Sequence, residues 1–291
     1  MRTKYKIITK ILHNLRCCIT QKIDNLNSFT LLYYQNNEIT IQVNSMFEKQ
    51  FDLRYFEMDQ HGGASPTTIL TLLEETAADH CLSIKQSLFD LFDQNIGWIL
   101  LGGYMQMERY PLYKEKITIR TWLSSYTSIR GNRENIIYDE QRNIIGRAKG
   151  LWLFYDIKRR MPVRIFDDIK EKWSCYPEES ISYDINKKIE AIDSAKYKKS
   201  FIVHRYDMDS NKHVNNLRYL QWLIETIPNE IMDNCYMYSI DGRYISEAQF
   251  GHTVESLSEH ENDEYRFSHT IKDLDSNQVC STGRTVWRNR V

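Results

Sequence analysis

An acid, an amide and an imidazole recur at every second position of DMDSNKHVNNLRYLQW, as Asp209, Asn211 and His213. Alternate side chains of an extended segment project to the same side, so these three groups can converge on one point. An imidazole can accept or polarise a proton near neutral pH, a carboxylate can orient it, and an amide can hold a water or a carbonyl oxygen. The spacing therefore permits a site for proton transfer.

The elements that would position this site occur twice in the chain. A shift of 150 positions lays FDLRYFEMDQHGGASPTTILTLLEET (51–76) on FIVHRYDMDSNKHVNNLRYLQWLIET (201–226), so that two Met-Asp pairs and two Glu-Thr pairs coincide. A shift of 135 lays RNIIGRAKGLW (142–152) on NQVCSTGRTVW (277–287). The two segments are similar both where they begin and where they end, which indicates that the chain consists of two related halves.

Each half begins with a predicted helix. In the first half, Ser65 supplies an N-cap and Pro66 the first helical position. Apolar residues then follow at helical spacing: Ile69, Leu70, Leu72, Leu73, Ala77 and Leu82. The second half repeats the pattern with a predicted helix around 215–227, stopped by Pro228.

Each predicted helix is followed by runs of β-branched and aromatic residues, which are typical of strands. The first half has WILLGGYMQM, KITIRTWLSSY, ENIIYDE and IIGRAKGLWLFYD. The second half has YMYSIDGRYISEAQF, HTVESLSE, EYRFSHTIKD and NQVCSTGRTVW. The predicted fold is α+β, a tandem (double) hotdog in which each half wraps an antiparallel sheet around a long central helix.

The first 45 residues differ from the rest, because they carry Lys and Arg but no acidic residue up to Lys22. Such a start is similar to a transit peptide, although Ser and Arg are sparse, and a secretory signal would need an apolar run that IITKIL does not supply. We favour a third interpretation, in which Met46 is the true start and 1–45 is an extension outside the fold. The expected domains are an N-terminal hotdog at 46–165, a linker at 166–199 and a C-terminal hotdog at 200–291.

Composition limits what the chain can do. Its 38 Lys plus Arg nearly cancel 39 Asp plus Glu, so no overall field attracts nucleic acid. It lacks the run of about eighteen apolar residues that a membrane span needs. The cysteines are mostly scattered, without zinc-ligand spacing after Cys18, which favours reduced thiols and a cytoplasmic location. They are Cys17, Cys18, Cys81, Cys175, Cys235 and Cys280.

The motif joined to this layout supports a family resemblance. Asp209-x-Asn211-x-His213-Val214-Asn215-Asn216, followed by Tyr219 and Trp222, is similar to the signature of the acyl-[acyl carrier protein] thioesterases of plastids and bacteria. The resemblance covers about residues 49–290. It extends to Trp98-Ile99-Leu100, Tyr110-Pro111, Thr121-Trp122, Trp152, Asp156 and Arg159-Arg160.

The resemblance implies hydrolysis of the thioester of fatty acyl-[acyl carrier protein], which releases a fatty acid and ends chain elongation. It implies catalytic roles for Asp209, Asn211 and His213, and adds Glu247 from the following strand. The first half would bind the acyl chain. The partner would be the carrier protein with its phosphopantetheine-linked acyl group, and neither cofactor nor metal is expected. A coenzyme A thioesterase of the hotdog superfamily and a non-catalytic acyl-binding hotdog protein remain alternatives.

This chain departs from many of its relatives immediately after Glu247, where Ala248 stands in place of a cysteine. A thiol nucleophile at that position is impossible. Unless Cys235 substitutes, the reaction runs through water or through Glu247 directly, and we favour water. The oligomeric state is open between monomer and homodimer, because two fused hotdogs already supply the pairing that single ones obtain by dimerising.

Several nearby residues have a simpler interpretation. Asn215 and Asn216 are interpreted as helix caps, and Asp59 and His61, in the equivalent first-half segment, as turn residues. A basic group has a simple interpretation as a solvated turn, but it is also the best local candidate for meeting an acidic carrier protein. It consists of Lys158, Arg159, Arg160 and Arg164.

Overall fold

A computed structural model of the chain describes residues 31–35, 38–42, 46–209 and 213–290. Most of the expected extension therefore lies outside the described residues. Within it, strands β1 (Leu31–Gln35) and β2 (Glu38–Gln42) pair with each other. Among the helices of the described ranges, none is long and apolar enough to cross a membrane.

The remaining strands form one antiparallel sheet, in which their order is β3-β5-β6-β7-β4-β10-β13-β12-β11-β9, with β8 added beside β7. Those of the first half are β3 (Met46–Asp52), β4 (Ile96–Met107), β5 (Lys116–Tyr126), β6 (Arg130–Tyr138), β7 (Ile144–Asp156) and β8 (Met161–Pro162). Those of the second are β9 (Tyr197–Ile202), β10 (Cys235–Tyr244), β11 (Thr253–His260), β12 (Arg266–Asp273) and β13 (Gln278–Asn289). The predicted tandem hotdog is confirmed.

The two halves meet where β4 pairs with β10, and we call this pairing the seam. Gly103 lies opposite Gly242 there, within a register that runs from Gly102 to Gln106. A Cβ atom on Gly102 would lie 3.0 Å from the carbonyl oxygen of Gly242, closer than van der Waals contact allows. Among the glycines of the seam, it is therefore Gly102 whose lack of a side chain lets the two strands lie this close.

The helices are α1 (Pro66–Ser83), α2 (Leu88–Asp93), α3 (Asp167–Lys172), α4 (Asn216–Ile224) and α5 (Asn229–Asn234). Helix α1 begins as predicted, because the Ser65 side chain accepts the Thr68 amide and Pro66 occupies the first turn. Its inward face buries Ile69 and Leu72.

The second central helix is shorter than predicted. Helix α4 ends at Ile224, not near residue 227, because the amides of Thr226 and Ile227 bond three residues back in a tightened turn. Pro228 then caps α5 and does not end α4. The position of the proline was therefore a poor guide to the end of this helix.

The described residues before each central helix make equivalent backbone contacts in both halves. Met58 bridges to Ala64 as Met208 bridges to Val214. The amide of residue 59 donates to the carbonyl of residue 63 at 2.7 Å, and the amide of residue 209 donates to that of residue 213 at the same distance. The sequence repeat thus corresponds to a structural repeat, in which Gly63 is the counterpart of His213.

The expected linker, 166–199, packs against both halves. Ile169 of α3 is buried in a cluster of the first half, and the Trp122 indole donates to the Glu178 carbonyl at 2.9 Å. Further along, the Tyr183 hydroxyl donates to Asp241 of β10. The segment therefore crosses the sheet from one half to the other along a fixed course.

Candidate active site

His213 lies just before α4, and Asp209 bonds to its main chain. The His213 amide donates to Asp209 Oδ1 at 3.1 Å, and the Asp209 amide donates to the His213 carbonyl at 2.7 Å. These two bonds fix the main chain of His213 against Asp209 and so set the position of the backbone from which the imidazole projects. Asn211, the third predicted member of the motif, lies outside the described residues.

Glu247 approaches the same imidazole from the second half's sheet. Its Oε2 lies 3.9 Å from His213 Nε2. The prediction that Glu247 belongs to a strand is wrong, because β10 ends at Tyr244 and the chain then leaves the sheet. The amides of Ile245 and Ser246 both donate to one carbonyl, that of Cys280, which ends the regular ladder.

Burial and nearby charges decide the basicity of Glu247. Burial raises the pKa of this carboxyl, and the charge of Asp209 raises it further, while His213 and Arg160 oppose both effects. Arg160 lies 3.5 Å from Glu247 Oε2. The net pKa is above the ordinary value for a glutamate, so its carboxylate is a better proton acceptor than a free one.

The residue after Glu247 faces the protein interior. Ala248 is fully buried in a cluster that includes Val254, and its amide donates to the Tyr219 hydroxyl at 3.1 Å. A longer side chain at this position would be directed into the core. Cys235 offers no replacement, because it is buried in a separate cluster at the start of β10 and burial raises the pKa of its thiol.

Three cavities meet beside the start of α4, and Asn216 lines all of them. The outer cavity, of about 450 Å³, is bordered by Arg160, His213 and Glu247. The inner cavity, of about 230 Å³, is bordered by Asp209, His213 and Glu74. The seam cavity, of about 100 Å³, runs between α1 and α4 to the glycines of the seam and has a mainly apolar lining. His213 therefore stands between an outer and an inner space.

The two asparagines at the start of α4 differ in role. Asn215 is the N-cap, as predicted, and its side chain accepts the Leu217 amide at 2.9 Å. Leu217 N–H is therefore already occupied and is not available to an oxyanion. The capping interpretation is wrong for Asn216, which is the first residue inside the helix and lines the cavities.

Sequence reasoning missed Glu74, a residue of α1 that borders the inner and seam cavities. Burial, with a contribution from the charge of Asp209, raises the pKa of Glu74 to about 7. A signal was present in the sequence, since Glu74 stands four residues after Leu70 and three before Ala77, on the apolar side of the helix.

The equivalent loop of the first half carries no such site among the described residues. Asp59 Oδ1 accepts the amides of His61 and Gly63, the turn role predicted for it. His61 Nε2 lies 3.2 Å from the Met232 carbonyl. Because the counterpart of His213 is a glycine, this loop presents no imidazole at that position.

Comparison with known proteins decides the family. The family model for the acyl-ACP thioesterase N-terminal domain matches residues 44–173, and that for the C-terminal domain matches residues 190–289. The chain belongs to the acyl-ACP thioesterase family. Both halves, including the His213 loop and Glu247, lie within these matches.

Curated members of the family align with most of the chain. Oleoyl-acyl carrier protein thioesterase 2, chloroplastic, of Arabidopsis thaliana is 26% identical over 282 residues, covering 84% of this chain and 77% of that protein. The oleoyl-acyl carrier protein thioesterase of Coriandrum sativum is 25% identical over 284 residues, with the same coverage of 84% and 77%.

Solved structures of family members share the fold. An acyl-ACP thioesterase from Bacteroides thetaiotaomicron superposes with a TM-score of 0.76 at 20% identity, covering 84% of this chain and 98% of that chain. The 12:0-ACP thioesterase from Umbellularia californica also gives a TM-score of 0.76 at 20% identity, covering 85% and 98%.

Proposed function

We propose that this protein hydrolyses the thioester of fatty acyl-[acyl carrier protein], releasing a free fatty acid and ending chain elongation. The observation that carries this function is the match of both family domains, over 44–173 and 190–289. The relatives named above are themselves oleoyl-carrier thioesterases. The two cavities that His213 borders support the same function. A thioester substrate would place its phosphopantetheine arm in one cavity and its acyl chain in the other.

The separation of Glu247 and His213 supports a water mechanism. At 3.9 Å their nearest atoms are too far apart for a direct hydrogen bond, and such a gap accommodates a bridging water. In this mechanism the Glu247 carboxylate takes a proton as the water oxygen attacks the thioester carbonyl carbon. The carbon–sulfur bond then breaks, and the proton returns to the departing phosphopantetheine thiolate with His213 as donor or orienter.

The outer cavity is the proposed entrance for the phosphopantetheine arm. Arg160 stands beside Glu247 at this cavity, and Arg159 and Arg164 are mostly exposed nearby. Each of these two also pairs with an aspartate, at 3.6 Å in both cases, so the positive field at the entrance is moderate. An acidic carrier protein docking here would place its arm at His213.

Matched substrates test the function. Purified protein offered the same acyl group on the carrier protein and on coenzyme A should release fatty acid from both, with a higher kcat/KM for the carrier-bound substrate. Preference for the coenzyme A substrate would assign the alternative, an acyl-coenzyme A thioesterase. Tight acyl binding without release from either substrate would identify a non-catalytic binding protein.

We also propose a cytoplasmic location, supported by the four free cysteines among the described residues: Cys81, Cys175, Cys235 and Cys280. The curated relatives named above are chloroplastic. Fractionation of the native cells tests the location, and recovery of the protein in an organelle would contradict it.

A further inference from the structure

Glu74 places an ionisable group where an apolar chain would bind. It belongs to α1 of the first half, yet it borders the inner cavity together with Asp209 and His213 of the second half. It also borders the seam cavity, where Leu70, Leu73 and other apolar side chains supply most of the lining. An acyl chain that passes His213 into either cavity therefore meets this carboxyl.

The surroundings of Glu74 offer its charge no compensation. Within the part of the chain that the structure describes, its carboxyl makes no hydrogen bond or ion pair. Eight other titratable groups border these cavities, and the only amine among them, that of Lys149, pairs with Glu134 at 3.5 Å and with Glu179 at 2.5 Å. They are Asp209, His213, Cys81, Arg133, Lys149, Tyr104, Tyr219 and Tyr244. The charge of Asp209 opposes ionisation of Glu74, and a Glu74 carboxylate in turn raises the pKa of Tyr244.

Arg133 does not neutralise Glu74. One of its terminal nitrogens contacts His80 Nδ1 and Thr121 Oγ1, both at 3.1 Å, and its guanidinium lies over the Trp173 ring. No ion pair joins it to Glu74 among the described residues. A Glu74 carboxylate packed against the methylene groups of a bound chain would therefore have no counter-charge, an arrangement that strongly disfavours the ionised form.

We propose that Glu74 controls occupancy of the acyl site, in that an acyl chain occupies the inner and seam cavities only when this carboxyl is neutral. Binding of the chain to the ionised form is then coupled to uptake of one proton from solvent onto a Glu74 carboxylate oxygen. The proposal rests on the proposed function, in that it takes these cavities to be the acyl site. Because the empty protein titrates Glu74 at a pKa of about 7, the coupling operates at physiological pH.

The sign of the proton change identifies the responsible group. Desolvation by an apolar ligand favours the neutral form of every group, so a carboxylate takes up a proton whereas an imidazolium releases one. Asp209 is a second carboxyl at the inner cavity. Uptake that depends on residue 74 separates the two carboxylates.

Decan-1-ol is a suitable probe, because it has an apolar chain, no thioester and no ionisable group of its own near neutral pH. Calorimetric titration in two buffers with different ionisation enthalpies, at pH 8, gives the number of protons exchanged. We expect uptake approaching one proton per bound decanol, and a dissociation constant that rises by up to about tenfold per pH unit above 7. Glu74→Gln, which resembles the neutral form, should bind decanol without proton uptake and independently of pH.

Glu75→Gln is the matched control, since Glu75 is the next residue of α1 but is exposed and paired with Lys49. It should behave as the wild type. Equal proton uptake in the wild type and in Glu74→Gln would overturn the proposal. Binding of decanol by the wild type that does not depend on pH would also overturn it. This second measurement needs only the wild type, so it can be made even if the variant does not fold. Because decanol is not hydrolysed, proton-linked binding in a protein without thioesterase activity would refute the proposed function alone.

Discussion

Glu247 Oε2 and His213 Nε2 lie 3.9 Å apart, although β10 and two helices separate the residues along the chain. The two residues are positioned differently, since the His213 amide is bonded to Asp209 whereas Glu247 follows the end of a strand. The pair therefore exists only in the folded second half, which makes it sensitive to substitution at either member.

Replacing His213 tests whether the chain is an enzyme at this site. We expect His213→Ala to lower turnover of acyl-carrier substrate by about 10²–10⁴-fold, the usual contribution of a positioned acid or base. Its melting temperature should change little, because the imidazole is partly exposed. His61→Ala, in the equivalent loop of the first half, should leave turnover unchanged. Full activity in His213→Ala would refute the assignment.

Isotope labelling identifies the group that attacks the thioester. In a single turnover in oxygen-18 water, a water mechanism places label only in the fatty acid. If Glu247 were the nucleophile, an anhydride would form and its hydrolysis could leave label in the glutamate side chain. We expect label in the product alone, and mass spectrometry of a peptide containing Glu247 makes the measurement.

Introducing a thiol at the position after Glu247 should not raise the rate of thioester hydrolysis. We expect Ala248→Cys to give no gain in rate, because residue 248 is fully buried and the new side chain would point into the core. Steady-state kinetics with and without a thiol-alkylating reagent check this. A several-fold gain that alkylation abolishes would show that cysteine chemistry is accessible there.

Removing Arg160 should change the pH dependence of the reaction. Arg160 lowers the pKa of Glu247, so Arg160→Gln should raise it and reduce the carboxylate fraction as the pH falls. We therefore expect a larger loss of kcat/KM at pH 6 than at pH 8. Arg159→Gln is the control, because Arg159 pairs with Asp156 and not with Glu247. An equal loss at both pH values would assign Arg160 to binding alone.

The seam gives a prediction about acyl chain length. Gly242 borders the seam cavity, and a Cβ atom on it would meet no heavy atom within 4 Å. A side chain added there would fill cavity space without a backbone clash. We expect Gly242→Val to shift the preference towards shorter acyl chains while kcat for short chains is retained. Competition assays with acyl groups of different lengths measure this preference. An unchanged chain-length preference would show that the acyl chain does not enter the seam cavity.

Much of the fold could be predicted from the sequence, because the repeat fixes equivalent positions in both halves. Asp59 and Asp209, which align in the sequence repeat, make equivalent backbone hydrogen bonds in the structure. The end of α4 could not be predicted, since Pro228 marks the start of the next helix while the turn before it is set by local bonds at Thr226 and Ile227.

The candidate site was predictable only in part. The spacing that carries His213 is local, whereas the position of Glu247 depends on where β10 leaves the sheet, which is set by a bond to Cys280 across the strand pair. Glu74 was hidden for a different reason. Its role depends on the packing of α1 of one half beside the loop of the other, and single-residue patterns do not encode that arrangement.

The fused sheet ends at β3 on one side and β9 on the other. Strand edges are sites of self-association unless charges protect them. On β9, Lys198 and Lys199 are exposed, and on β3 the charges of Glu48 and Lys49 are engaged in ion pairs with neighbouring elements. The charges on both edge strands therefore disfavour lengthening of this sheet by a second copy.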